Sequence, residues 1–378
     1  MPAELLVTGC YRSGTTLLEK LLHAQPGACV ASQPFAALYS YAKELFDTER
    51  GLQRRYPLGH RFLETCYNDA DFAEFLDRRR LDVADLQQVF DRLAADRKGL
   101  WTPAMLELRG RIEAGSFLEV RRRMLLAAAG LLDRPDARVV GSKEILVEEY
   151  VPYLLANGVR VVLIVRDPRD MVASLDFSDR DNATGADRPV LYSVRVWRKS
   201  VATALACEGH PLFRVLRYED LVAMPDETMR ELRGFLGLPV GRLERSGGEL
   251  LDQHGRVWRG NSSFADQSGV SRRSIGCHSE RLPAAVREMI EATAGPEMAI
   301  MGYVAERRPD SAITSYRDPF EAVHTRFPRD YSEDPRRVGE EIERLRILAQ
   351  ADEIDDAVAS RWFIYPAAYR RLRASMAR

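Results

Sequence analysis

Apolar residues Leu5-Leu6-Val7 run together and stop at Gly9; after a polar interval they return as Leu17, Leu18, Leu21 and Leu22, the spacing of one helix face. That change of period predicts a strand, a glycine-bounded loop and a helix. Further apolar runs predict strands over Ala28–Ala31, leading into a loop through Phe35, and over Ala137–Lys143, Val161–Val165 and Phe213–Tyr218. Between them lie helical patterns: 147–155, from Pro168 through Ser174, 190–206 with Trp197 on the apolar side, and 218–235. Residues 36–135 are mostly helical with charged faces, clearest in Leu81–Leu93, Met105–Ile112 and Phe117–Leu132. Strands alternating with helices predict an α/β fold, a doubly wound parallel sheet flanked by helices, with 36–135 as a helical insertion.

The first loop is built for an anion. Helix N-terminal amides have no intrahelical partner and sit at the positive end of the dipole, so Ser13, Gly14, Thr15 and Thr16 offer backbone and hydroxyl donors, and Arg12 adds a fixed charge. Gly9 and Gly14 stand at Walker A spacing, but Thr15 occupies the place of the lysine. The Val161–Val165 strand ends in Arg166, where a metal-binding acid stands in nucleoside triphosphatases. A phosphate-rich ligand held without a metal is the expectation.

Tyr11-Arg12-Ser13-Gly14-Thr15-Thr16 resembles the 5′-phosphosulfate loop of the sulfotransferases that use 3′-phosphoadenosine 5′-phosphosulfate (PAPS). Arg166-Asp167-Pro168-Arg169-Asp170-Met171-Val172-Ala173-Ser174-Leu175 resembles their 3′-phosphate motif, in which an Arg and a Ser at this spacing bind the 3′-phosphate. Tyr218-Glu219-Asp220 is similar to a third family segment, and the likeness implies that Tyr218 stacks on adenine. Ser271-Arg272-Arg273-Ser274-Ile275-Gly276 resembles the late basic loop over the 3′-phosphate, with Arg for the usual Lys, no immediate Gly and His278 for the usual Trp. Arg272 and Arg273 remain alternatives there.

The resemblance implies a P-loop-like fold, PAPS as sulfuryl donor, no metal, and a hydroxyl or amine acceptor on a small molecule, sugar or lipid. Lys143 matches the family lysine that contacts the phosphosulfate, whereas Ile145 stands where cytosolic members have the catalytic His and Gln33 near where other branches have a basic Glu. Glu144 is the candidate replacement for the base, against a plain salt bridge to Lys143 or Arg166; His278 and His60 are weaker candidates. Two rivals stand beside this reading: a P-loop kinase of a small metabolite, and a catalytically silent nucleotide-binding relative.

The composition agrees. A chain of 378 residues with 55 basic and 56 acidic side chains, net charge -1, carries no polyanion-binding tail, so no nucleic-acid partner is expected. Five scattered cysteines (Cys10, Cys29, Cys66, Cys207, Cys277) without C-x-x-C pairing suggest reduced thiols. With no signal-like N-terminus and no apolar run near ~18 residues, a cytoplasmic protein without a membrane span is expected. The organisation expected is a sulfotransferase-like domain over 1–306, its insertion capping the acceptor, and a helical extension over 307–378. That extension carries no chemistry of its own; it would brace the cap, shape acceptor specificity or form a homodimer contact.

Overall fold

The computed structural model describes residues 1–52, 67–95, 103–176, 189–239, 250, 256–258, 269–306, 335–350 and 352–376. They fall into two compact units. The first comprises the described residues of Met1–Arg54, Tyr67–Ile164 and Gly209–Ser271, the second those of Val165–Glu208 and Arg272–Arg378.

The first unit is an α/β sheet with helices against it. Its strands are β1 (Ala3–Thr8), β2 (Ala28–Ser32), β5 (Val139–Lys143), β6 (Arg160–Val165) and β7 (Phe213–Arg217), in the order β2-β5-β1-β6-β7. β1 pairs in parallel with β5 on one side, Val7 opposite Lys143, and with β6 on the other, Thr8 opposite Leu163. β2 joins β5 in parallel, Ser32 opposite Lys143. The strand order therefore reverses at β1, and such reversal points put ligands at the carboxyl ends of the strands. Leu5–Val7 of β1 and Val161–Ile164 of β6 are wholly buried, as continuous apolar runs in a covered parallel sheet should be. Gly141 is needed beside them, since a Cβ there would lie 2.9 Å from that of Leu5.

Helix α1 (Thr15–His23) lays Leu17, Leu18, Leu21 and Leu22 into the core with Leu221 of α9 (Tyr218–Ala223) and Met229, Leu232 and Leu236 of α10 (Pro225–Leu236). The insertion between β2 and β5 holds α2 (Ala36–Glu49), α3 (Asp69–Arg78), α4 (Val83–Ala95) and α5 (Phe117–Leu131), with a 3-10 helix at Pro103–Leu108. It also holds β3 (Arg80–Leu81) and β4 (Gly115–Ser116), an antiparallel ladder of two residues each, too short to register as alternation in the sequence. α5 opens with a capping box, the Ser116 hydroxyl accepting from the Glu119 amide while Glu119 accepts from the Ser116 amide. Phe46 edges onto Tyr67, Phe72 and Phe75 at centroid distances of 4.9–5.3 Å, so Tyr67 serves as packing. Trp101, Tyr56 and Phe62, the other aromatics expected near an acceptor, lie outside the described residues.

The second unit is helical: α7 (Pro168–Asp176), α8 (Val190–Cys207), α11 (His278–Arg281), α12 (Ala284–Ile300), α13 (Pro335–Ala349), α14 (Asp356–Phe363) and α15 (Pro366–Met376). The 190–206 pattern suggests a helix with one apolar side, but every residue of α8 except Ala206 is buried, Arg195, Arg198 and Lys199 included. The reason lies in α13. Glu341 accepts from Arg195 Nε at 2.8 Å and from Arg198 Nη1 and Nη2 at 2.6 and 2.9 Å. Arg344 adds a third guanidinium at 3.3 Å from the same carboxylate and pairs with Glu297 of α12 at 2.6 Å. Burial alone would raise the Glu341 carboxyl; the charges of Arg198, Arg195 and Arg344 outweigh it and hold it well below the usual range. Glu341 and Arg344 of α13 are thus internal charges, while Glu343 and Arg346 pair on its exposed side.

Candidate functional site

The loop between β1 and α1 needs left-handed backbone at three points: Gly9 (φ 147°), Arg12 (φ 61°) and Gly14 (φ 93°). At Gly9 a Cβ would sit 2.3 Å from the Ile164 carbonyl oxygen, and at Gly14 2.3 Å from Cδ2 of Tyr218, so both positions are closed to other residues. α1 begins at Thr15 with no side-chain cap and no acidic residue in its first turn, which leaves its N-terminal field uncompensated. Ser13 is buried and its Oγ has no hydrogen-bond partner among the described residues, the kind of orphan that a ligand oxygen satisfies.

Lys143 closes β5 beside this loop. Its Nζ donates to Oε1 of Gln33 at 2.9 Å, while the Gln33 amide donates to the Lys143 carbonyl at 2.8 Å, a reciprocal clasp that holds Gln33 at φ 41°. Burial is the largest influence on Lys143 and lowers its ammonium to about 8, opposed by the carboxylates of Glu19 and Glu144. Glu144 donates its amide to the Val7 carbonyl, and its Oε1 accepts from the Phe35 amide at 2.8 Å. Burial raises its carboxyl, against the Phe35 hydrogen bond and the charges of Lys143 and Arg121. Among the described residues it makes no ion pair with Lys143, so that pairing does not account for it.

Sequence reasoning missed two further buried groups. Glu19 and Lys20 of α1 form an ion pair at 3.0 Å, and burial raises the Glu19 carboxyl against Lys20, Lys143 and a hydrogen bond from Ser32. Their signal was faint, since they fall off the apolar stripe of α1 and read as a solvated face.

In the second unit, Arg166 follows β6 and is nearly buried, its Nη2 donating to the Ser274 carbonyl at 2.6 Å and its own carbonyl accepting from Trp197 Nε1 at 2.8 Å. Asp167 caps α7 by accepting from the Arg169 amide at 2.9 Å, and Pro168 takes the first helical position, where it lacks nothing. Arg169 is paired with Asp167 at 2.7 Å and Glu291 at 2.6 Å, which leaves it a structural part. Ser174, on α7, is buried; Arg272 and Arg273 are exposed on the turn before Ser274.

Residues 3–242, more than half of the chain, match the family model described as Sulfotransferase family. The chain belongs to the sulfotransferase family. No curated protein matches it. Among solved structures it is similar to the sulfotransferase domain from the curacin biosynthetic pathway, at 17% identity over 80% of this chain and 99% of that one, TM-score 0.39. It is also similar to a sulfotransferase from Alicyclobacillus acidocaldarius (12% identity, 80% and 97% covered, TM-score 0.40) and to mouse sulfotransferase SULT7A1 complexed with PAP (12%, 80% and 89%, TM-score 0.39).

Within this sulfotransferase the first unit gathers Arg12, Ser13, Gly14, Thr15, Thr16, Lys143 and Glu144 about the carboxyl ends of β1 and β5. The second gathers Arg166 with the turn that carries Arg272 and Arg273. Tyr218 also belongs to the first unit, but its ring packs on Gly14 and within the core. His278 is not a free base: Nδ1 lies 2.8 Å from Asp170 and Nε2 3.6 Å from Glu306. Cys10, Cys29, Cys207 and Cys277 are buried, and among the described residues none of them forms a disulfide. Among the described residues no helix is long and apolar enough to cross a membrane, and no acid, His or Cys group is arranged to hold a metal.

Proposed function

We propose that this sulfotransferase transfers the sulfuryl group of PAPS to a hydroxyl, or an amine, of a small-molecule, sugar or lipid acceptor. The observation that carries the reading is the β1–α1 loop: a glycine-enforced cradle with an orphaned Ser13 hydroxyl, an uncompensated helix N-terminus and Lys143 at the end of the adjacent strand. PAPS supplies the sulfuryl group and leaves as adenosine 3′,5′-bisphosphate. Arg12, the loop amides, Thr15 and Thr16 would hold the 5′-phosphosulfate; Arg166, Ser174 and the Arg272–Arg273 turn would take the 3′-phosphate, with Tyr218 toward the adenine. Negative charge grows on the bridging oxygen as the S–O bond breaks, so Arg12 and Lys143 act chiefly in the transition state.

Glu144 is the proposed base. Burial raises its carboxyl to about 8, near the working range of a proton acceptor, and a hydrogen bond from the Phe35 amide holds Oε1. Gln33 cannot take a proton, and its side chain is committed to Lys143. The helical insertion is proposed to shape the acceptor cap.

Calorimetric titration with adenosine 3′,5′-bisphosphate, without metal, tests the donor site. Micromolar binding is expected for the wild type, lost in Arg12→Ala and in Arg166→Ala and not reproduced by ATP with Mg²⁺. Absence of binding would sink the PAPS reading; binding without turnover on any acceptor would make the protein a silent member of its family.

A further inference from the structure

An acid has no evident place in a motif that receives a phosphate, yet Asp170 is almost wholly buried there, four residues after Arg166 and four before Ser174. Its oxygens are spent on one target. Oδ2 accepts from the Gly276 amide at 2.7 Å, and Oδ1 accepts from the His278 amide at 3.0 Å and meets His278 Nδ1 at 2.8 Å. The chain can turn there because Gly276 is left-handed, at φ 72°. Between these anchors and the exposed Arg272 and Arg273 lies Ser274, whose carbonyl accepts from Arg166.

We infer that Asp170 is a positioning residue: through Gly276 and His278 it fixes the 272–278 turn, and through Ser274 the guanidinium of Arg166, in the arrangement that receives a 3′-phosphate. The inference rests on the proposed assignment of a 3′-phosphate to Arg166 and this turn. His278 is then the clasp of the turn and takes no part in proton transfer. Burial would raise the Asp170 carboxyl, but the His278 hydrogen bond and the Arg166 charge outweigh it and keep it ionised, as an anchor for three donors must be. Asp170 and Ser174, at i and i+4, share one face of α7, so the residue that holds the turn and the residue proposed to touch the phosphate are set by the same helix.

The test compares two nucleotides that differ only in the 3′-phosphate. By calorimetry, wild type should bind adenosine 3′,5′-bisphosphate more tightly than adenosine 5′-monophosphate. Asp170→Ala should weaken the bisphosphate by ~10-fold to ~100-fold, the loss expected for charge-assisted hydrogen bonds, and leave the monophosphate within about 2-fold. His278→Asn, whose side-chain amide can stand in for Nδ1–H, should keep most of the preference that His278→Ala loses, and in turnover the donor KM should rise more than kcat falls. Unchanged preference in Asp170→Ala, or equal loss of both nucleotides, would overturn the inference; should Asp170→Ala not fold, the His278 pair decides it alone. A wild type with no preference would instead remove the 3′-phosphate assignment, and this inference with it.

Discussion

The protein buries two groups of charges and treats them in opposite ways. In the second unit Glu341 faces Arg195, Arg198 and Arg344, each within hydrogen-bond distance, and its carboxyl is held firmly ionised. In the first unit, Glu144 and Lys143 are as deeply buried, yet each has one hydrogen bond to a neutral partner, and burial pushes both toward their neutral forms. A carboxylate shared by three guanidiniums is a structural joint. A lysine and a glutamate whose side chains meet neutral groups, at strand ends beside the proposed anion loop, are perturbed groups of the kind that gather at functional sites.

Breaking the joint should have the largest effect. Glu341→Gln removes the carboxylate that Arg195, Arg198 and Arg344 share, leaving Glu340 to Arg195 and Glu297 to Arg344, and the second unit should lose ~3–5 kcal/mol, the cost of breaking a buried ion pair from one side, in denaturant unfolding. Full stability in that variant would dissolve the contrast. Lys143→Met should behave in the reverse sense: unfolding free energy at neutral pH unchanged or raised, because a poorly satisfied buried ammonium is gone, while sulfuryl transfer falls ~10²–10³-fold as a transition-state donor is lost. A variant that lost stability and turnover in proportion would place Lys143 among the structural charges.

A third contrast lies in the pH dependence of stability. The native Glu144 carboxyl is raised from 4.5 to about 8, so the folded protein holds this proton more tightly than the unfolded chain, and stability falls as pH rises through that window. Lys143, lowered from 10.5 to about 8, works oppositely: the unfolded chain holds the proton more tightly, and stability recovers between about 8 and 10.5. Thermal unfolding of wild type should show a minimum near pH 8 from this pair; Glu144→Gln should flatten its acid side and Lys143→Met its alkaline side. A profile untouched by both substitutions would mean that the pair titrates as it does in the unfolded chain.

What was legible in the sequence is what local pattern can encode. The break from Leu5–Val7 to Leu17–Leu22 marks a strand, loop and helix without any partner, and the apolar run before Arg166 and the helix opened by Pro168 are marked in the same way. Buried charges were not legible, because their burial depends on distant partners: Glu4 with Arg121, Lys43 with Glu149 and α8 with Glu341 lie more than a hundred residues apart. Tyr218 shows a related limit. Its segment was recognisable, but its packing on Gly14 follows from the close approach of a ring to a residue without a Cβ.

The clasp between Gln33 and Lys143 bears on what ligand capture costs. A surface lysine must shed a hydration shell before it can grip an anion; Lys143 shed its own when the chain folded, and its ammonium rests against an amide oxygen. In the proposed site an arriving anion would give that ammonium a full charge in place of one dipole, with little solvent left to reorganise. In that proposed site the glutamine would be a placeholder, keeping the cation dry and aimed until an anion arrives.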